Sequence, residues 1–121
     1  MKNETAVAAL AALAQESRLA IFRLLVQAGM EGLSAGRIRE ALGVPPATLS
    51  FHLKELLHAG LIKNTQVGKF VIYRAQFEKM NELIAFLMEH CCEGHPEACG
   101  VAKVECKPTA AKRRRPATEP A

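Results

Sequence analysis

The sequence is short of aromatic residues and has no long apolar run. Its 121 residues include no tryptophan, one tyrosine and five phenylalanines, although half of the chain is hydrophobic. The core must therefore consist mainly of Leu, Ile, Val and Ala, a composition that favours helices. A chain of this length has room for one small domain. No run approaches the roughly 18–20 apolar residues that a membrane-spanning helix needs, so we predict no membrane partner.

Cysteine is missing from the first 90 residues and then occurs four times, at Cys91, Cys92, Cys99 and Cys106. The N-terminus carries Glu4 and has no strongly basic segment, so it lacks the pattern of a secretory signal. We therefore expect a cytoplasmic protein, in which thiols stay reduced. Under those conditions, cysteines are better explained as ligands or reactive thiols than as structural disulfides.

The first hundred residues have no net charge. They contain ten basic and ten acidic side chains, whereas residues 101–121 contain six and two and so supply the whole formal charge of +4. Binding to nucleic acid would then depend on the local arrangement of charges and not on their total. The end of the chain is rich in Pro, Ala and Lys/Arg, which predicts a disordered basic tail over residues 107–121.

Helical periodicity begins near the N-terminus. Apolar residues recur at helical spacing over residues 4–28 and predict one or two helices, with Ser17 as an N-cap and Gly29 as the end. Residues 33–62 then predict two helices joined by a tight turn at residues 44–46. Two helices connected in this way form a helix-turn-helix.

This helix-turn-helix has clear start and stop signals. Ser34 is expected to cap its first helix, which ends near Gly43. Pro46 fits the first turn of the second helix, where its missing N–H has no cost. The second helix runs to about Ala59 and is closed by Gly60. Its buried stripe is predicted to consist of Leu49, Leu53, Leu56 and Leu57.

Two further elements follow. Residues 61–75 alternate around Val67-Gly68-Lys69, which predicts a β-hairpin. Residues 77–91 return to helical spacing and predict a last helix. The fold class is therefore mainly α with a β-hairpin wing, a winged helix-turn-helix over residues 1–92. Apolar helices at both ends carry more apolar surface than one small core needs, which predicts a helical dimer interface.

The face of the second helix opposite the leucines is predicted to contact DNA, because the first turns of such a helix enter the major groove. Thr48 and Ser50 suit phosphates or base edges, and Lys54 suits a phosphate. Phe51 has two interpretations, contact with a thymine methyl group or packing against the wing or a partner chain. The predicted DNA-binding set is Pro46, Ala47, Thr48, Ser50, Phe51, His52, Lys54, Lys69 and Arg74.

Three members of that set also have purely structural interpretations. His52 lies between the two faces of the helix and is also explained as a half-buried histidine with its hydrogen bonds satisfied. Lys69 and Arg74, together with Gln66, would lie near phosphates if the hairpin acts as a wing. The alternative is an ordinary solvated hairpin, on which lone basic residues are common.

The segments ESRLAIFRLL (residues 16–25) and ATLSFHLKELLHAGLI (residues 47–62), followed by a hairpin and a last helix, resemble the ArsR/SmtB family of winged-helix repressors. The resemblance covers about residues 6–92. It implies a homodimer, paired through the first and last helices, that represses transcription at operator double-stranded DNA and leaves the DNA on binding an inducer. Such a dimer would present two recognition helices one turn of DNA apart and match a pseudo-palindromic operator.

The resemblance also locates inducer sites of this family that the chain does not reproduce. One arsenic-sensing version has cysteines at the start of the first helix of the helix-turn-helix, where this chain has Ser34, Gly36 and Arg39. A zinc-sensing version uses paired carboxylate and imidazole ligands along the last helix. There this chain has His90 near the end and no second histidine at a suitable spacing before it.

The chain offers instead the stretch HCCEGHPEACG, residues 90–100. Neighbouring helical residues point about 100° apart, so Cys91 and Cys92 converge on one ion only where the helix unwinds. The glycine and proline that follow supply that unwinding and let Cys99 approach. Three thiolates suit trivalent arsenic or antimony, because soft ligands select soft ions. Some arsenic-sensing members of the family likewise carry a vicinal cysteine pair and a third cysteine at the end of the last helix.

We therefore predict that Cys91, Cys92 and Cys99 bind As(III) or Sb(III) as the inducer, within a sensor extension over residues 93–106, and that the DNA-bound form needs no cofactor. Zinc or cadmium is the rival ion, since zinc prefers four ligands and either His90 or His95 completes such a set.

Two readings of the cysteine chemistry compete with an ion site. A disulfide between Cys92 and Cys99 is a redox alternative, although the negative end of the helix dipole disfavours thiolate there. Cys106 does not belong to these alternatives, since it is a fallback third sulfur for the ion site itself.

The second alternative is a thiol enzyme, which would need a cysteine at a helix N-terminus with an anion-binding glycine loop. The sequence has no such arrangement, so we predict that the chain is not an enzyme.

Overall fold

The computed structural model describes residues 1–91, and its regular elements all fall in one compact unit, Met1–Glu89. His90 and Cys91 belong to a second unit, residues 90–121. The elements are α1 (Asn3–Leu13), α2 (Glu16–Ala28), β1 (Leu33–Ser34), α3 (Ala35–Leu42), α4 (Pro46–His58), β2 (Ile62–Val67), β3 (Phe70–Ala75) and α5 (Phe77–Leu87), with a short 3₁₀ helix, Gly29–Glu31, after α2. No helix within residues 1–91 is long and apolar enough to cross a membrane. The domain boundaries predicted after residues 92 and 106 lie outside the described residues.

The N-terminal segment forms two helices because the chain turns at residues 14 and 15. Gln15 has an extended backbone, and its side-chain Oε1 accepts a hydrogen bond from the Arg18 N–H at 2.8 Å. Gln15 therefore caps α2, and the prediction of Ser17 as the cap is wrong. Gly29, with φ of 70°, ends α2 as predicted.

The helix-turn-helix is confirmed in its caps and its packing. Ser34 Oγ accepts a hydrogen bond from the Arg37 N–H at 3.3 Å, and Gly43 ends α3 with a left-handed φ of 68°. Pro46 is the first residue of α4. Of the predicted leucine stripe, Leu49, Leu53 and Leu56 are at most 3% exposed, and Leu57 is half-buried against the core. α4 is thus fixed by one face, which leaves the opposite face to solvent.

The three strands form an antiparallel sheet in the order β1-β3-β2. β2 and β3 are the predicted hairpin, paired in register from Ile62↔Ala75 to Val67↔Phe70. The sequence did not predict β1, which has only two residues and pairs with β3. Gly32, with φ of 67°, precedes β1, and a Cβ there would collide with the Tyr73 carbonyl oxygen. Only glycine lets the chain approach β3 so closely.

The core collects residues from every helix and from the base of the hairpin. Three alanines on one side of α1 let that helix pack closely, while α2 contributes larger side chains. The buried apolar residues are Ala6, Ala9, Ala12, Ile21, Phe22, Leu25, Ile38, Leu49, Leu53, Leu56, Leu61, Ile62, Ala75 and Leu83. The hairpin contributes Ile62 and Ala75 to this core, Tyr73 packs against it, and the far end of the hairpin, residues 66–71, is exposed.

The last helix ends at Leu87, and the prediction of a helix to residue 91 is wrong at this end. The Glu89 N–H bonds back three residues to the Phe86 carbonyl at 3.3 Å, and His90 has a left-handed φ of 59°. Leu83 is the one fully buried side chain of α5, and Leu87 and the capping residue Met88 are exposed. Without buried contacts, the final turn gains too little to stay helical.

Candidate nucleic-acid interface

The outward face of α4 presents the polar and aromatic residues predicted to meet DNA. Thr48, Ser50 and Lys54 are exposed, as are Pro46 and Ala47 in the first turn. Their direction follows from the leucines on the other side, which fix the rotation of the helix about its axis. Short hydroxyls in the first turns followed by a lysine can reach base edges and a phosphate.

Phe51 lies on the same face and is 56% exposed. Within the described chain it is not buried against the hairpin, so packing on the wing does not account for it. Its ring contacts the His52 ring, with centroids 5.7 Å apart and planes at 57°. A large apolar side chain is therefore held at the surface among hydroxyls and a lysine.

His52 is the exception among the predicted α4 residues, because only 7% of it is exposed. The Arg18 Nη1 atom lies 3.4 Å from His52 Nδ1, and a guanidinium can only donate, so Nδ1 accepts this hydrogen bond. Arg18 also donates from Nε to the Ala12 carbonyl at 2.6 Å. The geometry favours the second interpretation of His52, a buried histidine with a hydrogen-bond partner.

Arg18 is a residue of this site that the sequence did not single out. It joins the end of α1, through the Ala12 carbonyl, to the buried face of α4, through His52. This contact spans 34 positions of the sequence, so no local pattern reveals it. α2 carries two arginines, Arg18 and Arg23, and the local sequence does not distinguish the one that makes these contacts. Arg18 is a positioning residue, since it fixes α4 and is not on the face predicted to meet DNA.

The hairpin holds the remaining predicted residues. Lys69 is exposed in the two-residue turn, where Gly68 has a φ of 61°. Gln66 is exposed next to the turn, and its Nε2 lies 3.4 Å from the Gly68 carbonyl. Arg74 is half-buried near the base, and its Nε donates to the Met30 carbonyl at 2.6 Å. Lys69 is therefore the more accessible of the two predicted cations.

The predicted ion site falls mostly outside the described residues. Cys91 is half-buried, while Cys92, Cys99, Cys106 and His95 lie beyond residue 91. Within residues 1–91, no group of three or more His, Cys, Asp or Glu side chains is placed to hold a metal ion.

The architecture and this surface together define a winged helix-turn-helix domain of the kind that docks its second helix on DNA. Residues 13–65 match a protein family described as a helix-turn-helix domain. The chain is also 32% identical over 89 residues to the HTH-type transcriptional regulator YgaV of Escherichia coli (strain K12), which covers 74% of this chain and 88% of that protein. The chain therefore belongs to the family of helix-turn-helix transcriptional regulators.

Comparison with solved structures indicates which type of helix-turn-helix regulator this is. The chain is similar to an ArsR-like transcriptional regulator from Rhodococcus sp. RHA1, with a TM-score of 0.67 and 26% identity over 79% of this chain and 88% of that one. It is also similar to the homodimeric winged helix-turn-helix DNA-binding domain Mb0332 from Mycobacterium bovis, a possible ArsR-family regulator. That similarity has a TM-score of 0.59 and 28% identity over 78% of this chain and 84% of that one. The protein is a transcriptional regulator of the ArsR-like winged helix-turn-helix type.

Proposed function

We propose that this regulator is a homodimeric repressor that binds operator DNA through α4 and the hairpin and is released by trivalent arsenic or antimony. The observation that carries the DNA-binding part is the outward face of α4. There Thr48, Ser50, Phe51 and Lys54 are exposed together while the leucines behind them are buried. Phosphate contacts position such a helix, and contacts to base edges select the sequence.

The apolar surface of the end helices supports the dimer. On α1, Val7 is 63% and Leu10 is 42% exposed, and at the end of α5, Leu87 is 56% and Met88 is 40% exposed. Burying such side chains between two copies contributes roughly 25 cal/mol per Å² of apolar area. The homodimeric state of the Mycobacterium bovis domain supports the same assembly for this chain.

The proposal that arsenic or antimony is the inducer rests on the chemistry of the cysteines that follow α5. Cys91 follows α5 by four residues, and Cys92 and Cys99 complete the proposed set. Three thiolates match the preference of a soft trivalent ion. Because α5 belongs to the proposed dimer surface, ion binding just after it would shift how the two subunits pack and so the spacing of the two α4 helices. A coupling of about 1–3 kcal/mol is typical and lowers operator affinity 5–150-fold.

The experiment measures operator affinity of the full chain by fluorescence anisotropy, with a duplex selected from a random-sequence library, at increasing arsenite. We expect affinity to fall by a factor in the 5–150 range, and the response to disappear in Cys91→Ser, Cys92→Ser and Cys99→Ser. Cys106→Ser is the matched control and should respond like the wild type. X-ray absorption at the arsenic edge should give three sulfur neighbours.

The same titration separates the rival inducers. Zinc or cadmium as the releasing ion, or release by a thiol oxidant that a reductant reverses, would replace arsenic as the inducer while leaving the DNA-binding part intact. Unchanged affinity with arsenite, or a full response in Cys91→Ser, would refute arsenic sensing. A wild-type chain that selects no duplex would refute the repressor itself.

A further inference from the structure

The hairpin leaves the core at its base and carries an exposed end. Ile62 and Ala75 are buried opposite each other, and every β2 residue after Ile62 is exposed. β3 stays paired with β1 up to Ile72, so two residues of each strand and the turn between them extend past the sheet, by roughly 7 Å at about 3.3 Å per residue. The end of the hairpin, residues 67–70, is the exposed part of this extension, and we refer to it as the wing tip; on one side Phe70 also lines a surface groove with Leu33, Ser34 and Arg37.

The wing tip is apolar on one face. Val67 and Phe70 are paired across the strands and are 52% and 63% exposed. Strand alternation puts Thr65 and Ile72 on the same face, and Val71, 40% exposed, on the other. Single exposed apolar side chains are ordinary. A paired phenylalanine and valine at the far end of a projecting ribbon instead form a compact apolar wedge.

The charge of the hairpin identifies what this wedge meets. Residues 61–75 contain Lys63, Lys69 and Arg74 and no acidic residue, whereas residues 1–100 as a whole are neutral. Lys63 and Arg74 are paired at the base, on the same face as Val67 and Phe70. A face with cations at its base and apolar side chains at its end complements double-stranded DNA, in which charged phosphates border grooves that contain apolar surface.

DNA presents apolar surface in only two places. The major groove exposes thymine methyl groups, and the faces of bases become accessible where a step is opened from the minor groove. Because α4 occupies the major groove in the proposed docking, a second element of the same domain meets the bordering phosphates and the adjacent minor groove. No methyl group is available there, and an aromatic ring finds apolar contact only between bases.

We propose, building on the proposed DNA binding, that Phe70, supported by Val67, acts as a wedge that enters the minor groove beside each half-site, partly unstacks one base step and bends the duplex. Proteins that insert apolar side chains in this way bend DNA toward the major groove. Phe70 would then favour flexible pyrimidine–purine steps such as TA or CA, which unstack most easily. It is thereby a specificity-determining residue that forms no hydrogen bond to a base.

The test uses the full chain and a duplex of about 30 base pairs that the wild type selects from a random-sequence library. Donor and acceptor dyes at the two ends report bending, and 2-aminopurine placed at successive adenines reports unstacking. We expect the wild type to raise energy transfer and to raise 2-aminopurine fluorescence at one step outside each half-site. Phe70→Ala should lose both signals and bind about tenfold more weakly, since the contacts that the bend permits are lost.

Two matched variants sharpen the result. Phe70→Leu keeps an apolar wedge and should keep most of the bend, and Val71→Ala changes the other face and should behave like the wild type. All these side chains are exposed, so melting temperatures should not change. Wild-type bending and fluorescence in Phe70→Ala, or their loss in Val71→Ala alone, would overturn the wedge and leave the proposed repressor standing. A wild type that selects no duplex overturns both.

Discussion

Helix α4 and the hairpin β2–β3 both belong to the proposed DNA surface, yet they are built in opposite ways. α4 is anchored along its length by four buried side chains, and its lysine and glutamate cancel in charge. The hairpin is fully buried only at Ile62 and Ala75 and is otherwise held at its base by the pairing of β3 with β1. All three charged residues over residues 61–75 are basic. One element is rigidly placed and neutral, and the other projects and is cationic.

Because of this difference, we expect α4 and the hairpin to have separate roles in DNA binding. A rigid helix holds the side chains that contact bases in one register, whereas a projecting cationic ribbon attracts phosphates without needing a fixed sequence. We therefore expect changes in α4 to alter stability and sequence preference, and changes in the hairpin to alter salt dependence and DNA shape. Four substitutions test this division.

Leu56→Ala should have the largest effect. Leu56 is fully buried, and removing such a side chain leaves a cavity and costs about 2–5 kcal/mol of unfolding free energy. A small domain has only about 5–15 kcal/mol in total, so the loss is a large part of its stability. Urea unfolding followed by circular dichroism measures it. Val67→Ala, on the exposed wing tip, is the control and should stay within about 0.5 kcal/mol of the wild type. Equal losses in the two variants would contradict the division.

Arg18→Met should have the second-largest effect, also on stability. The substitution keeps the aliphatic stem but leaves the Ala12 carbonyl and His52 Nδ1 without their donor, and unsatisfied buried groups cost about 1–3 kcal/mol. Arg23→Met is the matched control, because Arg23 is an exposed arginine on the same helix. If both arginines contribute equally to the unfolding free energy, Arg18 does not fix α4 as described.

Local signals account for what the sequence predicted well. Ser34, Gly43 and Pro46 begin and end the helices of the helix-turn-helix through their own backbone chemistry, and alternation around Gly68 is sufficient for the hairpin. Each of these features is decided within a few residues. For that reason the fold and the outward face of α4 were predictable.

What the sequence missed depends on distant contacts. The two-residue strand β1 exists because β3 pairs with it. The burial of His52 depends on Arg18, far away in the chain, and α5 stops where buried partners run out. General preference favours serine over glutamine as a helix cap, but the position of the turn decides which residue precedes the helix, and here that residue is Gln15.

Phe51→Ala sharpens the proposed role of α4 in reading sequence. If the exposed ring contacts a thymine methyl group, replacing that thymine by uracil removes about 0.8 kcal/mol, the value of one buried methylene, and weakens binding about fourfold. Anisotropy titrations with single uracil substitutions across the selected duplex would locate the base. The uracil that weakens binding by the wild type should not change the affinity of the Phe51→Ala variant. A uracil effect that persists in the variant would exclude the contact.

Lys69→Gln should have the smallest effect on affinity and the clearest effect on its salt dependence. Each phosphate contact contributes about 0.9 to the slope of log K against log salt, so two subunits that each lose one contact should lower the slope by about 1.8. Between 0.1 and 0.2 M salt this changes affinity only about three- to fourfold. Arg23→Gln removes the same charge from α2 and should leave the slope unchanged. An equal loss in both variants would mean that the hairpin cations act through overall charge, and a flatter slope in Lys69→Gln alone would assign a phosphate to the wing tip.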